Sequence, residues 1–164
     1  MREDIQRISL KTQEQGVVIN NPISIEEIRN FESSHNIFLP EELVLFYTKI
    51  GNGCEMIDGF HLKGLEELEF NKNRAKEDFI FTKYWIWEDE ETTELLDKVK
   101  NGNIELINIG DSQSWNIIIK GEEKGQVWFF TDVGIQPCAP KRNFLSWFEY
   151  WLDGNDNYFE EFVY

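Results

Sequence analysis

At 164 residues the chain has the length of one ordinary domain, and six Trp and thirteen Phe can fill a core without disulfides or a metal. Its net charge of −15, from 31 acidic residues, repels nucleic acid and anionic membranes and attracts basic partners. No stretch approaches the roughly 18 apolar residues needed to span a bilayer. Residues 1–15 alternate charges with isolated apolar residues, which argues against a secretory signal and for a cytoplasmic location. The surplus of carboxylate also has a plainer use, since it keeps a protein soluble. Two widely spaced cysteines, Cys54 and Cys138, are too few for a disulfide framework or a Cys-rich zinc site, and are expected as buried, reduced thiols.

The first helix is predicted over 24–35, opened by a Ser24–Glu27 capping box and patterned by Ile25, Ile28 and Phe31. A second is predicted over 40–50, with Pro40 in the first turn, Glu41 and Glu42 at the positive end of the dipole, and Gly51 as a left-handed stop. Residues 56–62 and 79–87 read as strands, and 65–70 fits a helical turn or a strand equally. A short helix is expected over 93–100, ending at Asn101-Gly102. Residues 104–109 and 115–119 read as strands, and the turn 121–125 returns the chain along 126–131, so that 115–131 forms a hairpin. Residues 135–138 extend the sheet, and a last helix at 143–153 stacks Phe144, Trp147, Phe148 and Trp151 as core. Helices, then strands, then a helix predict an α+β domain: a mostly antiparallel sheet packed with about four helices. Leu39, Phe46, Ile109, Ile117, Trp128, Trp147 and Phe148 are the expected core.

The order of motifs resembles a known family. A capped helix leads into Asn36-Ile37-Phe38-Leu39-Pro40-Glu41-Glu42, then Phe46-Tyr47, then Gly51-Asn52-Gly53. Further on come Ile109-Gly110-Asp111, Gly125-Gln126-Val127-Trp128-Phe129 and Phe144-Leu145-Ser146-Trp147-Phe148. This set is similar to the SUKH superfamily, the group that includes the yeast cell-wall assembly regulator. The likeness spans about residues 22–153 of a single domain covering 1–164. The acidic segment 87–97 and the acidic aromatic tail 155–164 depart from it. What the resemblance implies is a SUKH-like fold that works by binding protein. Bacterial members of this superfamily are mostly immunity proteins that neutralise toxin domains, often nucleases, and others bind cellular proteins or peptides.

No residue set points to catalysis. His35 and His61 lack a Cys or second His at ligand spacing, and Ser112 and Ser114 sit in no nucleophile elbow. Gly51-Asn52-Gly53 follows a helix and lacks a third glycine, so it reads as a turn and not as a dinucleotide loop. No enzyme activity, metal or cofactor is expected. The charged run is more informative. Glu88, Asp89, Glu90 and Glu91, with Glu94 and Asp97, lie in a segment (84–97) without Lys or Arg, directly after Tyr84, Trp85 and Trp87. Such a run forms a solvated loop and helix start, or an acidic surface with aromatic anchors for a basic protein such as a cognate toxin domain. The candidate surface is therefore Tyr84, Trp87, Glu88, Asp89, Glu90, Glu91 and Glu94, with Asp111 as a weaker member that serves equally as a turn residue. The tail, with Tyr158, Phe159, Phe162 and Tyr164, reads either as a strap on the core or as part of an interface. The competing function is an intracellular protein or peptide interaction module unrelated to toxins. Neither reading involves direct contact with nucleic acid or membrane, and the sequence leaves the oligomeric state open.

Overall fold

The structure is a computed structural model that describes residues 2–56, 59–87 and 93–154. It opens on a helix the sequence reading passed over, α1 (Arg2–Glu14), whose Ile8 and Thr12 are buried. Next, α2 (Ile25–His35) starts from the expected capping box: Ser24 Oγ accepts from Glu27 N–H at 3.1 Å, and Glu27 Oε2 accepts from Ser24 N–H at 3.0 Å. The chain then runs extended through Ile37, Phe38 and Leu39. Ile37 and Leu39 point inward and Phe38 outward, the alternation of a strand. Buried Glu32 steadies this step by accepting from Leu39 N–H at 2.7 Å.

The helix expected over 40–50 divides in two. α3 (Glu41–Leu45) passes into a π-helical turn, Phe46–Ile50, which turns Phe46, Tyr47 and Ile50 into the core. Gly51 closes it, although not in the left-handed conformation expected. Its φ is 175°, ordinary extended backbone, and glycine is needed because a Cβ there would stand 2.6 Å from the Asn20 carbonyl oxygen. Of the strand expected over 56–62, only β2 (His61–Leu62) forms, paired with β1 (Cys54–Glu55). Residues 57–58 lie outside the described residues. The undecided stretch 65–70 holds a 3-10 turn, Leu65–Glu67, and α4 (Lys72–Ala75) follows it.

The main sheet is antiparallel throughout, in the order β3-β7-β6-β5-β4. Its strands are β3 (Trp85–Ile86), β4 (Asn103–Gly110), β5 (Gln113–Ile118), β6 (Val127–Phe130) and β7 (Gly134–Pro137). α5 (Thr93–Asp97), continued by a 3-10 turn at Lys98–Lys100, precedes β4, and α6 (Phe144–Leu152) closes the described fold. The result is the expected α+β architecture with a hairpin at 115–131. Among the described residues it has six α-helices where about four were expected, because α1 and α4 carry only weak apolar patterns.

Both faces of the sheet are covered. Ile104, Leu106, Trp115, Ile117, Val127 and Phe129 face the helices. The register shift between Glu105 and Ile107 brings both Leu106 and Ile107 to this side. Ile118, Trp128 and Ile135 face the other way and are roofed by Phe79, Phe81 and Val99. This roof explains why most of 79–87 is not the strand its composition suggests. Phe79 and Phe81 lie over the sheet instead of joining it, and only Trp85–Ile86 pair with a neighbour. Beside the roof, the second face is polar and internally satisfied. Asn116 Nδ2 donates to Asn103 Oδ1 at 2.9 Å, and Ser114 Oγ donates to Asn116 Oδ1 at 2.6 Å.

α6 is anchored from a distance. Glu42 Oε1 accepts from Leu145 N–H at 2.9 Å, supplying from α3 the cap that Asn143 does not make. Below it, the Phe46 ring meets Phe144 and Phe148 at centroid distances of 5.1 and 4.8 Å. Six of the seven expected core residues are buried. Ile109 is only half-buried, because it lies in the second register shift of β4, between Asn108 and Gly110, where the strand leaves the core for its turn. Cys54 and Cys138 are buried free thiols, and burial pushes each up to about 12. Phe46→Ala should cost about 3–5 kcal/mol by leaving an aromatic-lined cavity. Urea unfolding followed by tryptophan fluorescence would measure it, and a loss under 1 kcal/mol would show that the contact does not anchor α6.

Candidate functional site: the rim of the sheet

The antiparallel order puts three segments at one end of the sheet: the exit of β3 at Trp87, the β6–β7 turn at 131–133 and the β4–β5 turn at 110–112. Four interstrand spacings of about 4.8 Å set the first and last of these roughly 19 Å apart. The sequence-predicted Trp87 and Asp111 therefore share one rim, a relationship that their separation in sequence hides.

Trp87 is half-buried. Its backbone N–H donates to Val133 O at 2.9 Å, and its indole Nε1–H donates to Asp132 O at 3.0 Å. Its ring packs on Trp85 at 5.3 Å, and Trp85 stacks on Phe81 at 5.3 Å with 16° between the planes. Of the three aromatics before the acidic run, Tyr84 is exposed, at 37%, while Trp85 and Trp87 are half-buried. Glu88, Asp89, Glu90 and Glu91 lie outside the described residues. Where the chain is described again, Glu94 is exposed on α5, and Leu95 turns back onto the aromatic roof.

One member of the acidic group is neutralised after all. Asp97 receives both oxygens' hydrogen bonds from Arg74 Nη2, at 2.7 and 2.6 Å, and this guanidinium holds its carboxyl below the ordinary range. The local sequence lacks a base, but α4 delivers one across space.

Asp111 is exposed in a turn with three successive positive φ values: Gly110 at 93°, Asp111 at 52° and Ser112 at 62°. The side-chain bond that shapes this turn comes from Asn108, whose Oδ1 accepts from Gly110 N–H at 2.8 Å. The Asp111 carboxylate is thus not used to make the turn. Two non-glycine residues in this region cost of order 1 kcal/mol each. The sequence reading missed Asp132 and Val133, both exposed between Trp87 and Asp111. Thr131 Oγ1 fixes their turn by accepting from Val133 and Gly134 N–H at 3.1 and 3.0 Å. Among the described residues neither Asp111 nor Asp132 makes an ion pair, so the rim presents aromatic surface beside uncompensated negative charge. The feature that could have flagged it is Thr131-Asp132-Val133-Gly134 as a tight turn between two apolar strands.

A family model described as the SMI1 / KNR4 family (SUKH-1) matches residues 22–159. The chain belongs to that family. The SUKH-1 match takes in α2 through α6, every strand and the whole rim, while α1 lies ahead of it. No curated protein matches the chain.

A titratable cluster of this SUKH-1 domain lies away from the rim, around His61. His61 Nδ1 is 2.6 Å from Glu55 Oε1, and its Nε2 is 2.7 Å from Glu67 Oε2. The Glu67 bond raises the imidazole above its ordinary value against partial burial, and Glu55 adds to it. Partial burial pushes Glu67 up, but the Gly64 N–H and His61 bonds pull it lower still. The clamp joins β1 and β2 to the following 3-10 turn. Among the described residues no group of three His, Cys, Asp or Glu is arranged to hold a metal ion.

The His61 contribution to stability is fully present below its unfolded value of about 6.5 and is lost as pH rises through the raised folded value. The Glu67 contribution is present above its unfolded value and is lost as pH falls through the lowered one. His61→Gln should therefore lower Tm most near pH 6, with the deficit shrinking above neutrality. Thermal melts of both proteins across pH, with an NMR titration of the imidazole, check this. A midpoint at or below 6.5 would contradict the clamp.

Proposed function

We propose that this SUKH-1 protein is a non-catalytic immunity protein that neutralises a toxin domain by binding it directly, with the rim of the sheet as the contact surface. Family membership carries the reading. The rim supports it, because uncompensated carboxylates beside aromatic anchors suit a basic partner. A nuclease domain is the best-matched toxin class, since it must present Lys and Arg to hold phosphates. An acidic protein seated on that surface excludes substrate and gains rapid electrostatic encounter. Occlusion beside the nuclease site is enough, and no catalytic residue of this chain takes part.

The direct test is co-expression with the C-terminal domain of a toxin encoded beside this gene. Restored growth, with inhibition of the purified toxin domain at one-to-one stoichiometry, supports the proposal. A toxin domain that stays active and unbound overturns it.

Mutations in the acidic segment and at the rim separate steering from anchoring. Reversing Glu88, Glu90 and Glu91 to Lys should slow association and flatten its salt dependence, because charge steering is screened over roughly 8–10 Å at physiological salt. Trp87→Ala should instead raise the dissociation rate about tenfold or more if it anchors the partner. Asp111→Lys and Asp132→Lys should slow association further. Since Trp87 also closes the β6–β7 turn, its variant is compared only after unchanged circular dichroism and thermal melting. Wild-type kinetics in every folded variant would move the interface off the rim.

A further inference from the structure

Phe38 is the most exposed large apolar side chain among the described residues, at 71%. It stands between inward-facing Ile37 and Leu39, so its position is fixed by two buried neighbours. On one side of it is a concavity of about 470 Å³. The floor is Ile37, Ala75 and Ile119, each almost fully buried, and the charged lining is Lys76, Lys120 and Lys124 with no carboxylate. Glu77, Asp78, Glu122 and Glu123 lie within two residues of these lysines in sequence but do not line the cavity. In a chain of net charge −15, a cavity with three lysines and no acid is the reverse of the average surface.

These lysines are also uncommitted. Arg7, Lys11, Arg29, Lys63, Arg74 and Lys141 each hold a carboxylate. Lys76, Lys120 and Lys124 make no ion pair among the described residues. Lys120 Nζ donates to the Lys76 carbonyl oxygen at 2.6 Å, which holds its ammonium at the cavity edge. Phe38 and Lys124 also border a neighbouring groove of mixed charge, lined by Arg29, Glu32, Glu41 and Glu42, with Arg29 paired to Glu32 at 3.0 Å. The carboxylates there are partly engaged, with Glu32 on Leu39 N–H and Glu42 on Leu145 N–H.

We infer that the Phe38 cavity is a second docking surface, which takes an acidic peptide segment carrying a large apolar side chain. The apolar residue packs on Phe38 and the Ile37–Ala75–Ile119 floor, and flanking carboxylates pair with Lys76, Lys120 and Lys124. Charge complementarity selects this occupant. Single-stranded nucleic acid could also stack on one ring beside lysines, but the field of −15 opposes a polyanion of many phosphates far more than a short peptide of a few carboxylates. The surface has the opposite sign from the rim and is independent of the toxin reading.

The test uses the full chain, isotopically labelled, and a synthetic peptide with a Phe-Leu pair flanked on both sides by glutamates. Shifts should map to Phe38, Lys76, Lys120 and Lys124, and binding by fluorescence anisotropy should weaken with salt. Phe38→Ala and Lys124→Glu change exposed side chains only, and each should weaken binding about tenfold or more. Serines in place of the Phe-Leu pair, or arginines in place of the glutamates, should abolish binding. Several outcomes overturn the inference: shifts elsewhere, unchanged affinity in both variants, tighter binding of a single-stranded RNA of equal length, or self-association of the chain through this cavity in sedimentation. Rim variants should leave peptide binding unchanged, so failure here and failure of the toxin reading are told apart.

Discussion

The fold depends on a sheet with two apolar faces, since neither can be left in water. Trp115, Ile117 and Phe129 require cover on one side, and Ile118, Trp128 and Ile135 require it on the other. Full burial of one such side chain is worth roughly 1.5–3 kcal/mol, so two open faces would exceed the net stability of an ordinary domain. Helices meet the first demand. The aromatic segment from Phe79 to Trp87 and the turn containing Val99 meet the second. Because that segment is spent as a roof, it joins the sheet late and briefly, at β3. It then leaves at the end where the β4–β5 and β6–β7 turns already stand, so the rim is a by-product of covering the second face.

The helical side is tied together by a few exact contacts across long sequence distances. Glu42 caps α6 from α3, and Phe46 in the π-helical turn meets both Phe144 and Phe148. Phe46, Tyr47 and Ile50 of this turn all face inward. Tyr47 also donates its hydroxyl to Lys63 O at 2.8 Å, joining this turn to the chain after β2. α1 is held on by burial of Ile8 together with Arg7 and Lys11 on Glu149 and Asp153. These ion pairs are partly exposed and contribute little by themselves. They set where α1 lies along α6, and the burial holds it there.

Charge is distributed unevenly over this frame. Most of the cations that the fold brings near carboxylates are paired, as Arg74 is with Asp97 and Lys141 with Glu123. Among the described residues, Asp111 and Asp132 of the rim and Lys76, Lys120 and Lys124 around Phe38 are among the charged groups that make no ion pair. A protein of one net sign thus carries surfaces of both signs, and a charged partner is oriented as well as attracted.

The amino-acid sequence by itself determined the class of fold, the family, the capping box at Ser24, the hairpin of 115–131 and the aromatic stack of the last helix. These rest on neighbours a few residues apart, so local periodicity and capping chemistry suffice to read them. It also pointed to Trp87 and Asp111 separately. Only the tertiary structure decided that the two share a rim with Asp132 and Val133, because strand order is set by long-range pairing that no local pattern encodes. In the same way, composition made 79–87 a strand, and the need to cover Trp128 made it a roof. Asp97 looked unpaired until α4 brought Arg74 to it. Phe38 was one letter in a family motif until the chain around it folded. Burial of Ile37 and Leu39 leaves its ring no direction but outward, and three lysines from two distant segments close around the space beside it.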